Sequence, residues 1–374
     1  MTAETTKFTP ALALGFAAMA AVAWGAFTTM RGAPAEPLPA LAALEPGWTT
    51  IAPGGETACA HGTPYEFHVK PGRADRLFVF LNGGGACWTG ALCSLDEEPT
   101  PYVPVSRIEH NDPRRLKGVF DAGNADNPLA DWTQVFVSYC TGDVHLGNRD
   151  VTYDDGKEEI TVRHRGRRNV RAALDWVYAN VKAPERVLVA GSSAGGIAAP
   201  WYAVEVAAEY PKAGIAVLGD GAGGYRDPAV APLMEGWGFW DDAPSWTNGI
   251  EGDGARFEDI WRKAAEAEPR LTLAQFDNAY DEVQEMFLKL LGTEARLHPL
   301  VAANRADLAA AIPGFRSYTA GGTPHTLIRF DRLYTYEVDG VRAVDWLRDM
   351  AEGRAVANVT CGAAAACERE PGAE

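Results

Sequence analysis

The stretch RVLVAGSSAGGIAAPWYAVEVAAEY, residues 186–210, places a glycine-flanked serine between an apolar run and a long segment of small and apolar residues. Arg186 to Ala190 predicts a buried strand, because strands covered on both faces read as continuous apolar runs. The segment that follows Gly196 predicts a helix. A strand that turns into a helix through such small residues indicates an α/β layered domain.

Five more short apolar runs alternate with helical segments along the chain. The strand candidates are residues 77–81, 134–139, 186–190, 214–218, 271–276 and 315–319. Two stripes at helical spacing lie between them, Val170, Leu174, Val177, Val181 and Val283, Phe287, Leu290, Leu291. The alternation predicts one doubly wound α/β domain over residues 47–374, with a mostly parallel central sheet and helices on both faces. Residues 225–270, which are rich in tryptophan, are predicted to be a lid-like insertion.

The composition is that of a globular protein with an acidic surface. Of the 374 residues, 47% are hydrophobic and 22% are charged, which provides a large core and excludes a disordered chain or a multi-span membrane protein. The 50 acidic and 34 basic residues give a formal net charge of −16. Because such a charge repels phosphate backbones, we predict no nucleic-acid partner.

The first 46 residues differ in composition from the rest of the chain. Residues 10–30 form an uncharged apolar run between Lys7 and Arg31. The length of the run lies between that of a cleaved export signal and that of a membrane span, so residues 1–30 are predicted to be a signal peptide or an N-terminal membrane anchor. Residues 31–46 are rich in proline and alanine, like a linker. We therefore expect an exported protein that contacts a membrane only through this segment, if the segment is not cleaved.

The six cysteines contain no Cys-x-x-Cys pair, which disfavours structural zinc. In an exported protein an even number of cysteines predicts disulfides, whereas buried reduced thiols would be expected in the cytosol. Two pairings are local in sequence, Cys87 with Cys93 and Cys361 with Cys367. They are a hypothesis, because six cysteines allow many pairings.

The Gly-x-Ser-x-Gly motif at residues 191–195 lies between a predicted strand and a predicted helix, where it determines the geometry of the turn. Its small residues allow a turn so sharp that Ser193 Oγ projects at the edge of the sheet. The N-terminus of the following helix carries a partial positive charge that suits a developing oxyanion. Ser193 is therefore a candidate nucleophile, and the alternative is a small-residue turn that only packs the helix against the strand.

A serine hydroxyl needs a neighbouring base, and in this fold the order along the chain is serine, acid, histidine. Only His298 and His325 follow Ser193. His298 lies in a helical segment. His325 lies in the glycine-rich loop GGTPHT after the last strand candidate, where a base can reach across the edge of the sheet, so we predict His325 as the base.

Three aspartates at strand ends are candidates for the acid that orients the histidine. Asp277 and Asp281 follow the strand candidate 271–276, and Asp220 follows 214–218. Asp281, which opens the helical segment YDEVQEMFLKLLG, is our choice, and Asp277 is the alternative. Either residue could instead serve as an N-terminal helix cap, a common use of aspartate.

A glycine loop, NGGGACW at residues 82–88, follows the strand candidate 77–81. It is comparable to loops that supply backbone N–H groups to an oxyanion. We predict that Gly84, Gly85 and Ala194 provide these donors. A phosphate loop is disfavoured because no Lys-Ser or Lys-Thr follows the glycines.

A second glycine motif, GDGAGG at residues 219–224, matches a dinucleotide-binding fingerprint. Two prolines follow it in YRDPAVAP, where the phosphate-binding helix should continue. The motif also follows the fourth strand candidate and does not open a βαβ unit. The sequence context therefore disfavours the alternative function of a dinucleotide-binding oxidoreductase.

Six motifs are separated along the chain: CAHGTPYEF (59–67), FLNGGGACW (80–88), YCTGDVHLGN (139–148), GSSAGG (191–196), AYDEVQ (279–284) and GGTPHT (321–326). Together they resemble the pectin acetylesterase and Notum family of secreted serine esterases. The resemblance implies an α/β-hydrolase-like fold, with Ser193 as nucleophile, His325 as base and Asp281 as acid. It also implies that the oxyanion donors are Gly84, Gly85 and Ala194.

The glycine loop departs from the pattern of that family. Plant members carry a glutamate at the position of Asn82 and a tryptophan at that of Ala86, and Notum carries a tryptophan at that of Gly85. The form found here resembles the bacterial branch. We therefore expect the fold and the three catalytic residues to be shared, but not the substrate.

Two further groups of residues allow more than one interpretation. Asp143 and His145 in YCTGDVHLGN could be metal ligands, but two residues are too few for a typical metal site. We expect them to fix the loop by hydrogen bonds. The tryptophans at 237, 240 and 246 could stack on sugars or line an acyl pocket. Buried packing within the insertion is the alternative.

The sequence thus predicts an exported serine carboxylesterase that hydrolyses short acyl esters, above all acetyl esters, through an acyl-enzyme. The expected substrates are small-molecule esters or O-acetyl groups of a polysaccharide such as pectin, and no metal or organic cofactor is expected. The net charge provides no global attraction for a polyanion. The alternative is a catalytically silent surface binding module that keeps the fold.

Overall fold

The computed structural model describes residues 37–96, 100–226 and 230–371. The strands of this part of the chain are β1 (Thr49–Ile51), β2 (Phe67–Lys70), β3 (Arg73–Leu81), β4 (Trp132–Val137), β5 (Arg149–Asp154), β6 (Glu159–His164), β7 (Arg186–Ser192), β8 (Gly214–Asp220), β9 (Thr272–Asn278), β10 (Arg316–Ala320), β11 (Glu337–Val338), β12 (Val341–Arg342) and β13 (Val359–Thr360). Nine of them form one sheet, and β5 with β6 and β11 with β12 form separate two-stranded sheets.

The central sheet has the strand order β1-β2-β4-β3-β7-β8-β9-β10-β13. The pairs β1/β2 and β2/β4 are antiparallel. All the other neighbours, from β4/β3 to β10/β13, are parallel. This topology confirms the predicted mostly parallel sheet, and the six predicted strands correspond to β3, β4, β7, β8, β9 and β10.

Helices cover both faces of the sheet. They are α1 (Gly90–Cys93), α2 (Gly166–Asn180), α3 (Ala194–Glu209), α4 (Val230–Gly236), α5 (Phe257–Ala267), α6 (Glu282–Leu290), α7 (Leu297–Ala311), α8 (Arg332–Thr335), α9 (Ala343–Ala351) and α10 (Ala364–Cys367). Successive side chains of a strand point to opposite faces, so β3 divides its residues between two cores. Leu77 and Val79 pack with α2 and α3, whereas Phe78 and Phe80 pack on the side of α8 and α9.

The two predicted helical stripes differ in burial. Val170, Leu174 and Val177 are buried on α2, as their spacing predicts. On α6, Phe287 is buried but Leu290 is 43% exposed. The reason is that α6 borders an open cleft, described below, and Leu290 is one of the residues that line it.

The chain before the sheet lies against the domain from residue 38 onward. Leu41 N donates to Asn180 Oδ1 at 2.9 Å, and Trp176 Nε1 donates to Pro39 O at 2.8 Å, so part of the predicted linker 31–46 packs beside α2. The predicted signal or anchor, residues 1–30, lies outside the described residues. Among the helices that the structure describes, none combines the length and apolar character that crossing a bilayer requires.

The region 225–270, predicted to be an insertion, lies between β8 and β9 and contains α4 and α5. Trp237 and Trp261 are buried there. Trp246 packs edge-on against Trp201 of α3, with ring centroids 5.2 Å apart. The tryptophans of this region therefore attach it to the core of the domain.

Three disulfides crosslink the domain. Cys87–Cys93 and Cys361–Cys367 confirm the two local pairings, and the remaining two cysteines form Cys59–Cys140. The local bridges each span 6 residues of sequence, whereas Cys59–Cys140 spans 81. The last bridge joins the segment between β1 and β2 to the loop after β4.

Loop length makes the three disulfides unequal in their expected contribution to stability. In the chain-entropy model, a crosslink that closes the longer loop stabilises by roughly 4–5 kcal/mol and one that closes a short loop by about 2 kcal/mol. We expect the pair Cys59→Ala and Cys140→Ala to lower the free energy of unfolding more than the pair Cys87→Ala and Cys93→Ala. All four side chains are buried, so the second pair is a matched control. Equal losses in chemical denaturation would contradict this ranking.

Candidate active site

Ser193 occupies a strained turn between β7 and α3. Its backbone angles are φ 54° and ψ −122°, a region that residues other than glycine rarely adopt. A Cβ added to Gly195 would lie 2.0 Å from Leu81 O, and one added to Gly191 would lie 2.1 Å from Gly195 O. The glycines of the motif are therefore required by close backbone contacts, and they allow the sharp turn predicted from the sequence.

Asp281 and His325 are joined directly by a hydrogen bond. His325 Nδ1 lies 2.6 Å from Asp281 Oδ2. His325 follows β10 in the predicted loop, and Asp281 is fully buried at the start of α6. Asp281 Oδ1 also accepts hydrogen bonds from the backbone N–H groups of Val283 and Gln284. The same carboxylate thus caps a helix and holds the imidazole, so the two interpretations of Asp281 are compatible.

Ser193 and His325 line the same cleft. No hydrogen bond joins their side chains in the part of the chain that the structure describes. Hydrogen bonds of this kind are often long before substrate binds, so the geometry keeps both residues as candidates. Ser193 N donates to Asp220 O at 2.7 Å, and a Cβ on Gly221 would be 3.3 Å from His325 Cε1, so the end of β8 lies beside both residues.

Asp277, the alternative acid, has Arg305 and Gln284 as its side-chain partners. Arg305 Nη2 donates to Asp277 Oδ2 at 2.9 Å in a buried ion pair. Gln284 Nε2 lies 3.0 Å from Asp277 Oδ1 and 3.1 Å from Asp281 Oδ2, so this amide bridges the two carboxylates. His298, the alternative base, lies on α7 beside the ring of Tyr280.

Asp220, the third acid considered, holds the loop that follows His325. Its buried carboxylate accepts hydrogen bonds from the backbone N–H groups of Leu327 and Ile328 at 2.9 and 3.0 Å. Ser192 Oγ donates to the same carboxylate at 3.2 Å. Burial raises the pKa of Asp220 to about 6. Sequence reasoning did not identify this role, because Leu327 and Ile328 are 107 and 108 residues away in the chain.

The glycines of GDGAGG contact the acidic residues. Gly223 N donates to Asp277 Oδ1 at 2.9 Å, and Gly224 N donates to Gln284 Oε1 at 3.0 Å. A Cβ on Gly223 would lie 2.4 Å from Asp277 Oδ2. These contacts show that the glycines of GDGAGG have a structural role, because they let the backbone approach Asp277 and Gln284 closely. This role does not depend on binding a dinucleotide.

The glycine loop 83–85 lies against the turn that carries Ser193. A Cβ on Gly83 would be 2.8 Å from Ser193 Cβ, and Gly84 and Gly85 line the cleft beside Ser193. Within the described residues, the N–H groups of Gly84, Gly85 and Ala194 donate to no protein acceptor. Ala194 is the first residue of α3, where N–H groups lack intrahelical partners. These three N–H groups can therefore receive an oxyanion.

Gly85 provides a test of this loop. A Cβ at Gly85 would lie 1.9 Å from Pro101 O, and its φ is +73°. We expect Gly85→Ala to displace the loop and to lower kcat at least about 100-fold, as loss of one oxyanion donor does. Gly55 has a φ of +64° with nothing within 4 Å, so Gly55→Ala should cost a little stability and leave hydrolysis unchanged. Similar kinetics for the two variants would contradict the assignment.

Two cavities meet at Ser193. The smaller one is almost wholly apolar and is lined mainly by side chains of the glycine loop, α3, the insertion and α6, among them Ala86, Trp88, Val144, Ile197, Leu233, Trp237, Phe257 and Phe287. The larger one is the open cleft that also contains His325. Ser193 and Gly85 line both cavities. An ester placed with its carbonyl at Ser193 can therefore direct its two sides into different environments.

Asp143 and His145 fix the loop that borders the smaller cavity. Asp143 accepts hydrogen bonds from Thr141 Oγ1 and Gly166 N, and His145 Nε2 donates to Asn82 O at 2.7 Å. Burial raises the pKa of Asp143 to about 6 and lowers that of His145 to about 4. Two groups of metal-ligating residue types occur in the described residues, but the cysteines of both are paired in disulfides and offer no thiolate.

Two comparisons with known proteins match parts of this chain. A family model described as pectinacetylesterase matches residues 50–229, which include the glycine loop and Ser193. A Xenopus laevis protein described as palmitoleoyl-protein carboxylesterase notum2 is 27% identical over 143 residues, which is 37% of this chain and 28% of that protein. The chain thus spans less than a third of the length of that relative. These matches show that residues 50–229 of the chain are similar to the pectinacetylesterase family.

Proposed function

We propose that this protein is a serine esterase that hydrolyses carboxylic esters through an acyl-enzyme. The observation that carries the proposal is the hydrogen bond between His325 and Asp281 in the cleft that Ser193 lines. Beside the serine, the N–H groups of Gly84, Gly85 and Ala194, which have no acceptor among the described residues, complete the set of parts that acyl transfer needs. Similarity to the pectinacetylesterase family supports the same reaction class.

In the proposed reaction, Ser193 Oγ attacks the ester carbonyl carbon and His325 Nε2 takes the hydroxyl proton. Asp281 keeps the Nδ1 proton of His325 directed toward its carboxylate, which leaves Nε2 free to accept. The N–H groups of Gly84, Gly85 and Ala194 stabilise the oxyanion. The tetrahedral intermediate then releases the alcohol, which receives the proton from His325. Water, deprotonated by His325, attacks the acyl-enzyme and releases the acid.

We assign the acyl side of the ester to the smaller, apolar cavity. The room open to the centre of a water molecule in this cavity is about 40 Å³. One water needs about 10–15 Å³ of such room, so the cavity suits a chain as short as acetyl or butyryl. The alcohol side is assigned to the cleft, where the corresponding volume is about 620 Å³. Esters of bulky alcohols, including acetylated polysaccharides, are compatible with this division.

A series of p-nitrophenyl esters tests the acyl assignment. We expect kcat/KM to fall at least about tenfold from butyrate to octanoate, because overfilling a packed cavity costs roughly 1–3 kcal/mol. Leu233→Ala, which enlarges the cavity, should reduce that fall. An octanoyl or palmitoleoyl ester hydrolysed as fast as acetate would contradict the assignment and favour the long acyl group in the name of the Xenopus relative.

Export is part of the proposal. Three disulfides in one domain are typical of proteins that fold in an oxidising compartment. Whether residues 1–30 are removed is tested by N-terminal sequencing of the protein isolated from its native host. We expect either a chain that starts after the apolar run or an intact chain in the membrane fraction.

A fluorophosphonate probe tests the proposed function as a whole. The probe reacts with a serine that a neighbouring base activates, so peptide mapping should place the adduct on Ser193. A folded protein that neither reacts with the probe nor hydrolyses acetate esters would overturn the proposal and favour the catalytically silent binding module.

A further inference from the structure

The cleft contains a buried arginine that has no acidic partner among the residues that the structure describes. Arg329 follows His325 by four residues, and its side chain lines the same cleft although the residue is only 6% exposed. Two other buried arginines of the described chain have more partners, although Nε of each also lacks a hydrogen bond. Arg305 pairs with Asp277, and Arg167 donates to three backbone carbonyl groups. Arg329 takes part in no ion pair with any described residue.

The groups that contact Arg329 are neutral. Nη1 donates to Asn82 Oδ1 at 2.7 Å, and Nη2 lies 3.3 Å from His110 Nδ1. His110 Nε2 donates to Gly83 O, so its Nδ1 is the acceptor. Burial and the charge of Arg329 lower the pKa of His110 to about 4, so this imidazole is neutral at pH 7. Arg329 Nε is buried without any hydrogen-bond partner.

The positive charge of Arg329 persists at neutral pH, and no described carboxylate forms an ion pair with it. Burial lowers its pKa to about 10, well above pH 7. The carboxylate whose charge acts on it is that of Asp220, whose oxygens already accept hydrogen bonds from Leu327, Ile328 and Ser192. A buried charge without a close counter-ion is costly, which indicates that a ligand supplies the counter-ion.

The rest of the cleft favours an anion as well. Outside the gap at residues 97–99, no aspartate or glutamate lines it, and its ionisable groups are His110, His325 and Arg329. This local pattern is opposite in sign to the formal net charge of −16. Low-dielectric walls strengthen the field of a single charge inside a cleft. Among the described residues, an anionic group that enters the cleft therefore meets the charge of Arg329 and no carboxylate in the lining, even though the whole protein is acidic.

We propose that Arg329 is a specificity-determining residue that binds a carboxylate on the alcohol side of the ester. This inference rests on the proposed function, because it places the carbonyl at Ser193, the acyl group in the apolar cavity and the alcohol in the cleft. A guanidinium donates charge-assisted hydrogen bonds to a carboxylate, which a neutral substituent of the same size cannot replace.

Two acetate esters with matched alcohols test the assignment. They are 4-acetoxybenzoate, which carries a carboxylate, and its methyl ester, which does not. The measured quantity is the ratio of their kcat/KM values, because intrinsic reactivity cancels when this ratio is compared between variants. We expect Arg329→Gln to lower the ratio about 10- to 100-fold and Arg329→Lys to keep part of the preference.

A matched control separates local recognition from general electrostatics. Arg332 lies over the ring of Phe330, which lines the cleft, but Arg332 itself does not line it. Arg332→Gln removes one positive charge near the site and should leave the ratio unchanged. A purely structural role of Arg329 would lower both kcat/KM values equally, and an unchanged ratio in Arg329→Gln would overturn the inference.

Calorimetry that compares the binding of benzoate and benzamide tests the inference without measuring hydrolysis. The comparison on the wild-type protein does not require that any variant folds. We expect the wild-type protein to bind benzoate more tightly than benzamide, with an affinity that falls as salt is raised and is lost in Arg329→Gln. Equal binding of the two compounds to the wild type would overturn the inference even if the variant does not fold. Selective benzoate binding without any ester hydrolysis would instead contradict the proposed function and leave the anion site in place.

Discussion

Ser193→Ala is expected to lower kcat for acetate esters by about 10⁵- to 10⁶-fold and to abolish labelling by a fluorophosphonate. The variant lacks the oxygen that attacks the carbonyl, while the oxyanion donors and the cavities remain. Residual hydrolysis above the rate in water should be small, because only binding and the N–H groups of the oxyanion site still act. The measurement is steady-state hydrolysis of p-nitrophenyl acetate, together with mass spectrometry of the probe adduct.

Ser192→Ala is the matched control for this variant. Ser192 precedes Ser193 in the same turn, and its hydroxyl donates to Asp220 at 3.2 Å. Removing one such hydrogen bond costs about 1 kcal/mol, so we expect a loss of at most about tenfold. Comparable losses in both variants would show that disruption of the turn, and not removal of the nucleophile, reduces the rate. Labelling that persists in Ser193→Ala would refute the assignment.

Asp281→Asn is expected to lower kcat by about 10³- to 10⁴-fold. An amide in place of the carboxylate cannot stabilise the imidazolium, and its NH₂ group favours the histidine tautomer whose Nδ1 accepts, which leaves Nε2 protonated. Asparagine is also a good helix cap, so the start of α6 should be preserved. The variant therefore isolates the effect on His325 from the effect on the helix.

Asp277→Asn is the control for Asp281→Asn. It leaves the buried Arg305 without its counter-charge, and breaking such a pair costs roughly 3–5 kcal/mol. We expect Asp277→Asn to lower the free energy of unfolding more than Asp281→Asn does, and Asp281→Asn to lower kcat more. If Asp277→Asn had the larger effect on kcat at a temperature where both variants are folded, the acid would be Asp277.

The central parallel strands of the sheet can be predicted from the sequence, whereas the edge strands and the separate hairpin cannot. β3, β7 and β8 lie in the middle of the sheet, and burial on both faces makes them continuous apolar runs. The hairpin of β5 and β6 has no such run, because most of its residues face solvent at least in part. β1 and β13 have only three and two residues, too short for a recognisable pattern.

Part of the candidate site can also be predicted, because its residues are close together in the sequence. The strand, the small-residue turn and the helix around Ser193 are contiguous, and His325 was selected by its order in the chain. From the residues alone, Asp281 and Asp277 stayed open as acids, because both follow the same strand. The resemblance to the family favoured Asp281, and the 2.6 Å hydrogen bond to His325 agrees with that choice.

By itself, the sequence determined the layered α/β architecture, the sharp turn at Ser193 and the set of residues from which a serine esterase site can be built, because apolar runs and glycine spacing act over a few neighbouring residues. Two features became visible only in three dimensions: Asp220 holds the histidine loop, and Arg329 lines the cleft without an ion-pair partner among the described residues. Arg329 and Asn82 are 247 residues apart in the chain. Burial and charge balance at such a site depend on contacts between distant segments, and no local pattern records those contacts.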